Sequence, residues 1–387
     1  MLTNPYAPRS TPSILAGRDR EILIFQQVLA RVQATRRAAE GGVVLYGIRG
    51  IGKTSILRVE EDLAGQQGFV TAWISAAKGQ PLLPSLLPTV RTALENHDVV
   101  KRGKWTIKSI GLEIGVGPLK ASAKAERDDD AGIDWNVGTV ERLLREAARL
   151  CAEKGNGNGA GLVLFIDELH AVSDKDLAIL SNALQNISHD RRFSPPFALF
   201  AAGLPSIRGL ATKAATFGER TEFIPIKDIA ISATKKALRE PANRLGVKFD
   251  DDALQVLADA SNGYPYFVQL YGFHTWRATR PEPGTIITLA DAKKGILQTA
   301  EDVQNLFVAR LTSATTTERS FIEALARLGG DNAVKRADLA AELGKNTRGI
   351  SGLRARLIDK AVISEEERGY LQFTLPGFAE YVLEELD

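Results

Sequence analysis

The stretch Gly-Ile-Arg-Gly-Ile-Gly-Lys-Thr at 47–54 constrains this chain more than any other. It matches GxxxxGK[ST] at every fixed position, directly after the β-branched run Val43-Val44-Leu45-Tyr46 and directly before apolar residues that recur at helical spacing. Strand, glycine loop, helix is an arrangement with a use. Glycines let backbone N–H groups converge on an anion without Cβ clashes, and the following helix adds the positive end of its dipole. Gly47, Gly50 and Gly52 are therefore candidate cradle residues for a polyphosphate, with Ser55 beside them in the first helical turn. Lys53 can reach the β and γ phosphates, and the Thr54 hydroxyl can ligate Mg²⁺.

Apolar runs at 69–74, 162–166, 197–202 and 223–226 follow, and amphipathic helical patterns lie between them. Continuous apolar strands alternating with helices predict a parallel sheet covered on both faces, an α/β fold. The run Leu-Val-Leu-Phe-Ile ends on Asp167 and Glu168. A carboxylate at a strand tip can hold a Mg²⁺ shell, and the next can deprotonate an attacking water, so Asp167 is assigned to metal and Glu168 to catalysis.

At 387 residues the chain should divide into two or three domains. We expect the nucleotide-binding unit over 1–227, with a hairpin insertion about 101–127, a wholly helical lid over 228–312 and a third unit over 313–387. Pro5, Pro8 and Pro12 predict an extended arm, followed by a helix starting near Arg18 that Asp19 can cap.

The third unit reads as three helices and a β pair, the layout of a winged helix-turn-helix, with Thr347, Arg348, Ser351 and Arg354 on the helix that could enter a major groove. Charge argues the other way: over 331–387 eight Lys/Arg face eleven Asp/Glu, a net of −3, and Glu365, Glu366 and Glu367 would repel a phosphate backbone. A DNA reader and a protein-contact module both remain open. So do two readings of the basic insertion, Lys101, Arg102, Lys104, Trp105, Lys108, Lys120 and Lys124: a solvated hairpin face or a nucleic-acid track.

The 49 basic and 47 acidic residues give a net charge of +2, so no global field draws the chain to nucleic acid or membrane. The apolar runs are far shorter than the ~20 residues that span a bilayer, and the N-terminus lacks a secretory pattern. A single cysteine, Cys151, reads as a packing residue, and these features together predict a cytoplasmic protein. The four histidines show no ligand spacing, and His170 is read as packing or bonding locally.

With both phosphate-site motifs in view, the chain resembles AAA+ ATPases of the origin-recognition and initiator clade, with features shared by STAND signalling ATPases. The residues that carry it are Leu-Ala-Gly-Arg-Asp-Arg-Glu at 15–21, the 47–54 loop (Walker A), Leu-Phe-Ile-Asp-Glu at 164–168 (Walker B) and Asn-Gly-Tyr-Pro-Tyr-Phe-Val-Gln at 262–269. The resemblance implies ATP and Mg²⁺ as cofactors, Arg18 beside the adenine, Pro265 approaching the nucleotide from the lid, and Arg220 as a finger acting on a neighbouring subunit. It implies a homo-oligomer in ATP and a partner that is DNA or a protein effector, in replication initiation, transposition or defence. One departure stands out: the strand that should end in a polar sensor offers Ala201, Ala202 and Gly203, with Ser206 the nearest hydroxyl. Losing one such positioned group typically costs ~10²-fold or more, so slow, switch-like hydrolysis is expected. A scaffold that binds ATP without touching DNA, and a DNA-binding regulator with structural ATP, are the alternatives.

Overall fold

The computed structural model describes residues 2–101, 105, 133–190, 192–207, 209, 221–365 and 368–386. Arg220, Glu366, Glu367 and all of the expected hairpin insertion except Lys101 and Trp105 lie outside the described residues.

Five strands, β1 (Val43–Tyr46), β2 (Val70–Ser75), β3 (Leu162–Asp167), β4 (Phe197–Gly203) and β5 (Glu222–Pro225), form one sheet in the order β2-β3-β4-β1-β5. Every pairing is parallel. Because side chains alternate across a strand, each run feeds two cores. Val43, Leu45, Val163, Phe165, Ala198 and Phe200 face α1 (Asp19–Thr35) and α2 (Lys53–Gln66). Val44, Leu162, Leu164, Ile166, Leu199 and Ala201 face α3 (Leu82–Asn96), α4 (Val137–Gly157) and α5 (Asp174–His189). Two-sided burial explains why these strands read as unbroken apolar runs.

Helix ends show what local sequence can and cannot dictate. Asn136 and Ser173 cap α4 and α5 by accepting from Thr139 N and Asp176 N. The expected Asp19 cap is a correction: Arg18 occupies that position without a side-chain cap bond, and Asp19 lies in the first turn, where its charge complements the dipole. Helix α3 carries Pro88 inside it, yet its buried stripe Leu82, Leu83, Leu86, Leu87, Val90 and Leu94 outweighs the lost backbone bond. Its free N-terminal amides are satisfied from α5, since Leu82 N donates to Asp176 Oδ2 at 2.7 Å.

Beyond β5 come α6 (Ile231–Asn243), α7 (Asp251–Ser261), α8 (Pro265–Thr279) and α9 (Leu289–Thr312). The segment is not wholly helical as expected: β6 (Lys248–Phe249) and β7 (Ile286–Ile287) form a two-residue parallel ladder, too short to leave a periodicity in the sequence. Leu238, Leu254, Leu257, Trp276 and Ile287 form a core here, and Tyr6 of the N-terminal arm enters it. The Tyr6 hydroxyl donates to Leu238 O, and its ring meets Trp276 edge-on at 6.0 Å.

The C-terminal residues build α10 (Thr316–Arg327), α11 (Arg336–Glu342), α12 (Ser351–Asp359) and α13 (Phe378–Glu384) around β8 (Val334–Lys335), β9 (Ile363–Ser364) and β10 (Tyr370–Phe373). The strands pair antiparallel in the order β8-β10-β9. Neither β8 nor α13 is anticipated by the sequence pattern. Phe307 of α9 packs on Phe378 and Tyr381 of α13, tying this unit to the helices before it.

Candidate nucleotide site

All five parallel strands point their C-terminal ends to one edge, and the loop after β1 turns there into α2. Gly52 sits at the α2 N-cap with φ 92°, a conformation that would strain any residue with a Cβ. The Lys53 ammonium, buried, donates to Gly47 O at 2.9 Å and Ile48 O at 2.7 Å, so the loop wraps its own lysine. Burial lowers the Lys53 pKa to about 8, against the raising effect of Glu168 and Asp167, and Arg49 adds to the lowering. An anion here would meet a buried cation whose hydrogen bonds go to backbone carbonyls.

Two strands away, β3 delivers its carboxylates to the same edge. Thr54 Oγ1 donates to Asp167 Oδ2 at 2.7 Å, and Glu168 N donates to Asp167 Oδ1 at 2.8 Å. Glu168 itself adopts the left-handed region, φ 55° and ψ 35°, which costs a non-glycine residue on the order of 1 kcal/mol. Thr54 and Asp167 thus face one another as an oxygen pair suited to a hard divalent cation, with Glu168 alongside. Among the described residues no group of three or more His, Cys, Asp or Glu could hold a metal alone, so a cation here would need phosphate oxygens or water to complete its shell.

A cleft of about 600 Å³ opens beside this cluster, lined by Gly50, Gly52, Lys53, Thr54, Ser55 and Glu168 from the sheet side and by Pro265 and Tyr266 from the lid helices. It combines the polar residues of the loop with apolar Ile14, Ile229 and Val268, the mix typical of a small-molecule cleft. Gly47 does not line it. A Cβ on Gly47 would fall 2.6 Å from Ile226 O, so this glycine serves close packing against the end of β5. Arg18 lines the cleft and is buried, and its guanidinium donates to Ile51 O at 3.0 Å and Lys227 O at 2.7 Å, bracing the loop.

The sequence reading missed four contributors. The N-terminal arm closes the cleft with Pro8, Arg9, Ser10, Thr11 and Pro12, pinned where Ala7 N donates to Gln269 Oε1 at 3.1 Å. Tyr264 donates to Arg49 O at 2.6 Å. Tyr266 adds an aromatic wall. His170 lies between Leu204 N and Glu168. Proline spacing announced an arm, and nothing in the sequence said where it would dock.

On α12 and the turn before it, Arg348 is exposed and Thr347 and Ser351 are half-buried, with Ser351 Oγ donating to Thr347 O at 3.0 Å. Arg354 is turned inward. It pairs with Glu365 and lines a second cleft of about 620 Å³ with Tyr46, Gly47, Lys227 and Asp359, at the edge where β1 and β5 end. The four residues singled out for a groove therefore do not form one exposed row.

Residues 14–194 match the family model described as AAA ATPase domain, and residues 304–382 match a domain family of unknown function. No curated protein matches. The Walker-type ATPase of Pyrococcus abyssi superposes with a TM-score of 0.60 at 13% identity, covering 95% of this chain and 96% of that one. The ORC2 protein of Aeropyrum pernix, solved in ADPNP and ADP complexes, superposes with a TM-score of 0.55 at 12% identity, covering 98% and 97%. The strand order, the P-loop and these matches make the core a nucleotide-binding AAA+ P-loop domain with an α/β fold.

Proposed function

We propose that this chain binds MgATP in the 600 Å³ cleft and hydrolyses it slowly to ADP and phosphate, acting as a nucleotide-dependent switch. The observation that carries the reading is the meeting of Thr54 Oγ1 and Asp167 Oδ2 at 2.7 Å beside Lys53 and Glu168. Lys53 and the amides around Gly50 and Gly52 bind the β and γ phosphates. Thr54 and Asp167 would hold Mg²⁺, which would offset phosphate charge. Glu168 takes the proton from the attacking water. No polar side chain from 201–204 reaches toward that water, which supports slow turnover.

The Glu168→Gln variant tests this: it should keep ATP binding and stop phosphate release. Turnover at the wild-type rate would place the catalytic carboxylate elsewhere.

The wider reading divides the chain into the nucleotide-binding unit (1–227), lid (228–312) and winged helix (313–387), and has the ATP state set the lid and self-assembly. Arg220 would act on a neighbour's γ-phosphate, and the winged helix would deliver the switch to DNA or a protein partner in the cytoplasm. Among the described residues no helix is long and apolar enough to cross a membrane. Turnover per molecule should rise with protein concentration and Arg220→Ala should flatten that rise. Concentration-independent turnover would leave Arg220 without this role.

A further inference from the structure

The carboxylate that must face water at this site has little to hold it. The Glu168 side chain is 43% exposed, and an exposed glutamate samples several rotamers at little cost. Its backbone is fixed by the left-handed conformation and by Asp167, which leaves the side-chain torsions free. The tip of β4, which lies next to β3, supplies only Ala201, Ala202, Gly203 and then Leu204. None of these has a polar side chain. The tip does supply one unspent backbone donor, Leu204 N, and His170 takes it.

His170 stands on the single 3₁₀ turn Leu169–Ala171 that follows Glu168. Leu204 N donates to its Nδ1 at 3.3 Å. A backbone amide can only donate, so Nδ1 is the unprotonated nitrogen and the ring proton belongs to Nε2. That nitrogen lies 3.3 Å from Glu168 Oε2. The imidazole side chain is 15% exposed, and the close approach of the two strands' ends is visible at Gly203, where a Cβ would stand 3.4 Å from His170 N. The charged groups around the ring are Glu168, Lys53, Arg49 and, from α12, Asp359. Burial first, then Lys53 and Arg49, outweigh the two carboxylates and push the His170 pKa below its ordinary value, so the ring is neutral at pH 7 and presents a single donor.

We propose that His170 is a positioning residue for hydrolysis, which anchors on the backbone at the end of β4 and orients the Glu168 carboxylate that activates water. The inference rests on the reading of Glu168 as the base and supplies a reason why a strand end without a polar side chain still supports a working site. His170 does not line the 600 Å³ cleft. Its effect therefore falls on the chemical step and leaves ATP affinity unchanged.

Two variants of the full chain separate the hydrogen bond to Leu204 from the 3.3 Å approach to Glu168. In His170→Asn the amide oxygen stands where Nδ1 was and keeps the Leu204 bond, but no atom reaches Glu168. In His170→Gln the terminal amide nitrogen stands near the Nε2 position and keeps the donor to Glu168. We expect kcat of the Asn variant to fall by ~10–100-fold with Kd for ATP within about twofold of wild type, and the Gln variant to retain most of the rate. Both should melt within a few degrees of wild type. On a Glu168→Gln background His170→Asn should change nothing further. An Asn variant with wild-type kcat, or Asn and Gln variants slowed alike, would overturn the proposal. Wild-type turnover in Glu168→Gln alone would instead overturn the reading of the base, so the two failures are distinguishable.

Discussion

The Tyr264 hydroxyl donates to the Arg49 carbonyl across 2.6 Å, which bonds the N-cap residue of α8 into the loop that wraps Lys53. The Tyr264 ring is buried and meets Phe267 edge-on at 5.2 Å, so the lid side of this contact is rigid. The loop is thereby tied directly to the start of α8. From there the path to the C-terminal unit is short, because Arg310 near the end of α9 donates to Lys360 O at 3.0 Å.

Tyr264→Phe keeps the ring packing and removes this one bond, leaving Arg49 O without its partner. A hydrogen bond of this kind is worth about 1 kcal/mol, or roughly fivefold in an equilibrium. The expected result is an ATP Kd raised by about that factor, measured by titration with a fluorescent nucleotide. An unchanged Kd would mean that the lid and the loop are not linked through Tyr264.

Gly50 lies under the same ring. A Cβ there would fall 2.1 Å from Tyr264 Oη with the backbone at φ 79°, whereas at Gly52 nothing lies within 4 Å and only the φ of 92° is at issue. In the absence of nucleotide, Gly52→Ala should cost about 1 kcal/mol from backbone strain, and Gly50→Ala should cost more, by ~1–3 kcal/mol of overpacking. Denaturant titration of the two variants gives the order. Equal losses would count against the packing of Tyr264 on the loop.

Saturating ATP should stabilise the protein, by about 2.7 kcal/mol at a hundredfold excess over Kd, because the nucleotide binds only the folded form. Lys53→Ala should abolish that shift while melting near wild type. Among the described residues the ammonium bonds only to Gly47 O and Ile48 O of its own loop, so its loss would remove the proposed phosphate ligand and little of the core. A full ATP-induced shift in the variant would contradict the site.

How much of this was legible beforehand follows from the range of each interaction. The sheet was readable because Val43–Tyr46 and Leu162–Asp167 are buried on both faces, which leaves unbroken apolar runs. The phosphate loop was readable because its glycines and lysine act through local backbone geometry. Helix α3 was hidden by Pro88, and its N-terminus is satisfied by Asp176, 94 positions away in sequence. The docking of the arm depends on Tyr6 reaching Leu238, and the β6–β7 ladder on two residues per strand, neither of which has a periodic signature. His170 was readable only as a residue that packs or bonds locally, because its distant partner, Leu204, contributes only a backbone amide.

Glu318 is a buried carboxylate that fastens α12 to the start of α10. Lys360 Nζ donates to its Oε2 at 2.6 Å, Thr315 N to the same oxygen at 2.8 Å, and Arg356 Nε to Oε1 at 3.1 Å. Burial alone would raise this carboxyl, but the bonds from Lys360, Thr315 and Arg356 outweigh it and hold the pKa at about 2 against an ordinary 4.5. A carboxylate depressed in the folded state stabilises it fully above the unfolded pKa, and that contribution drains away as pH falls through the folded one. The stability gap between wild type and Glu318→Gln should therefore be constant above pH 4.5 and shrink steadily toward pH 2, read by calorimetry on both proteins. Taking the difference removes every other acid-titrating group common to the two. The Gln variant keeps an acceptor for Thr315 N but loses its charge, so at neutral pH it should be the weaker by about 1–3 kcal/mol, the range for hydrogen bonds to a charged group. A gap that stays level from pH 7 to pH 2 would show that the bonds around Glu318 do not favour its ionised form.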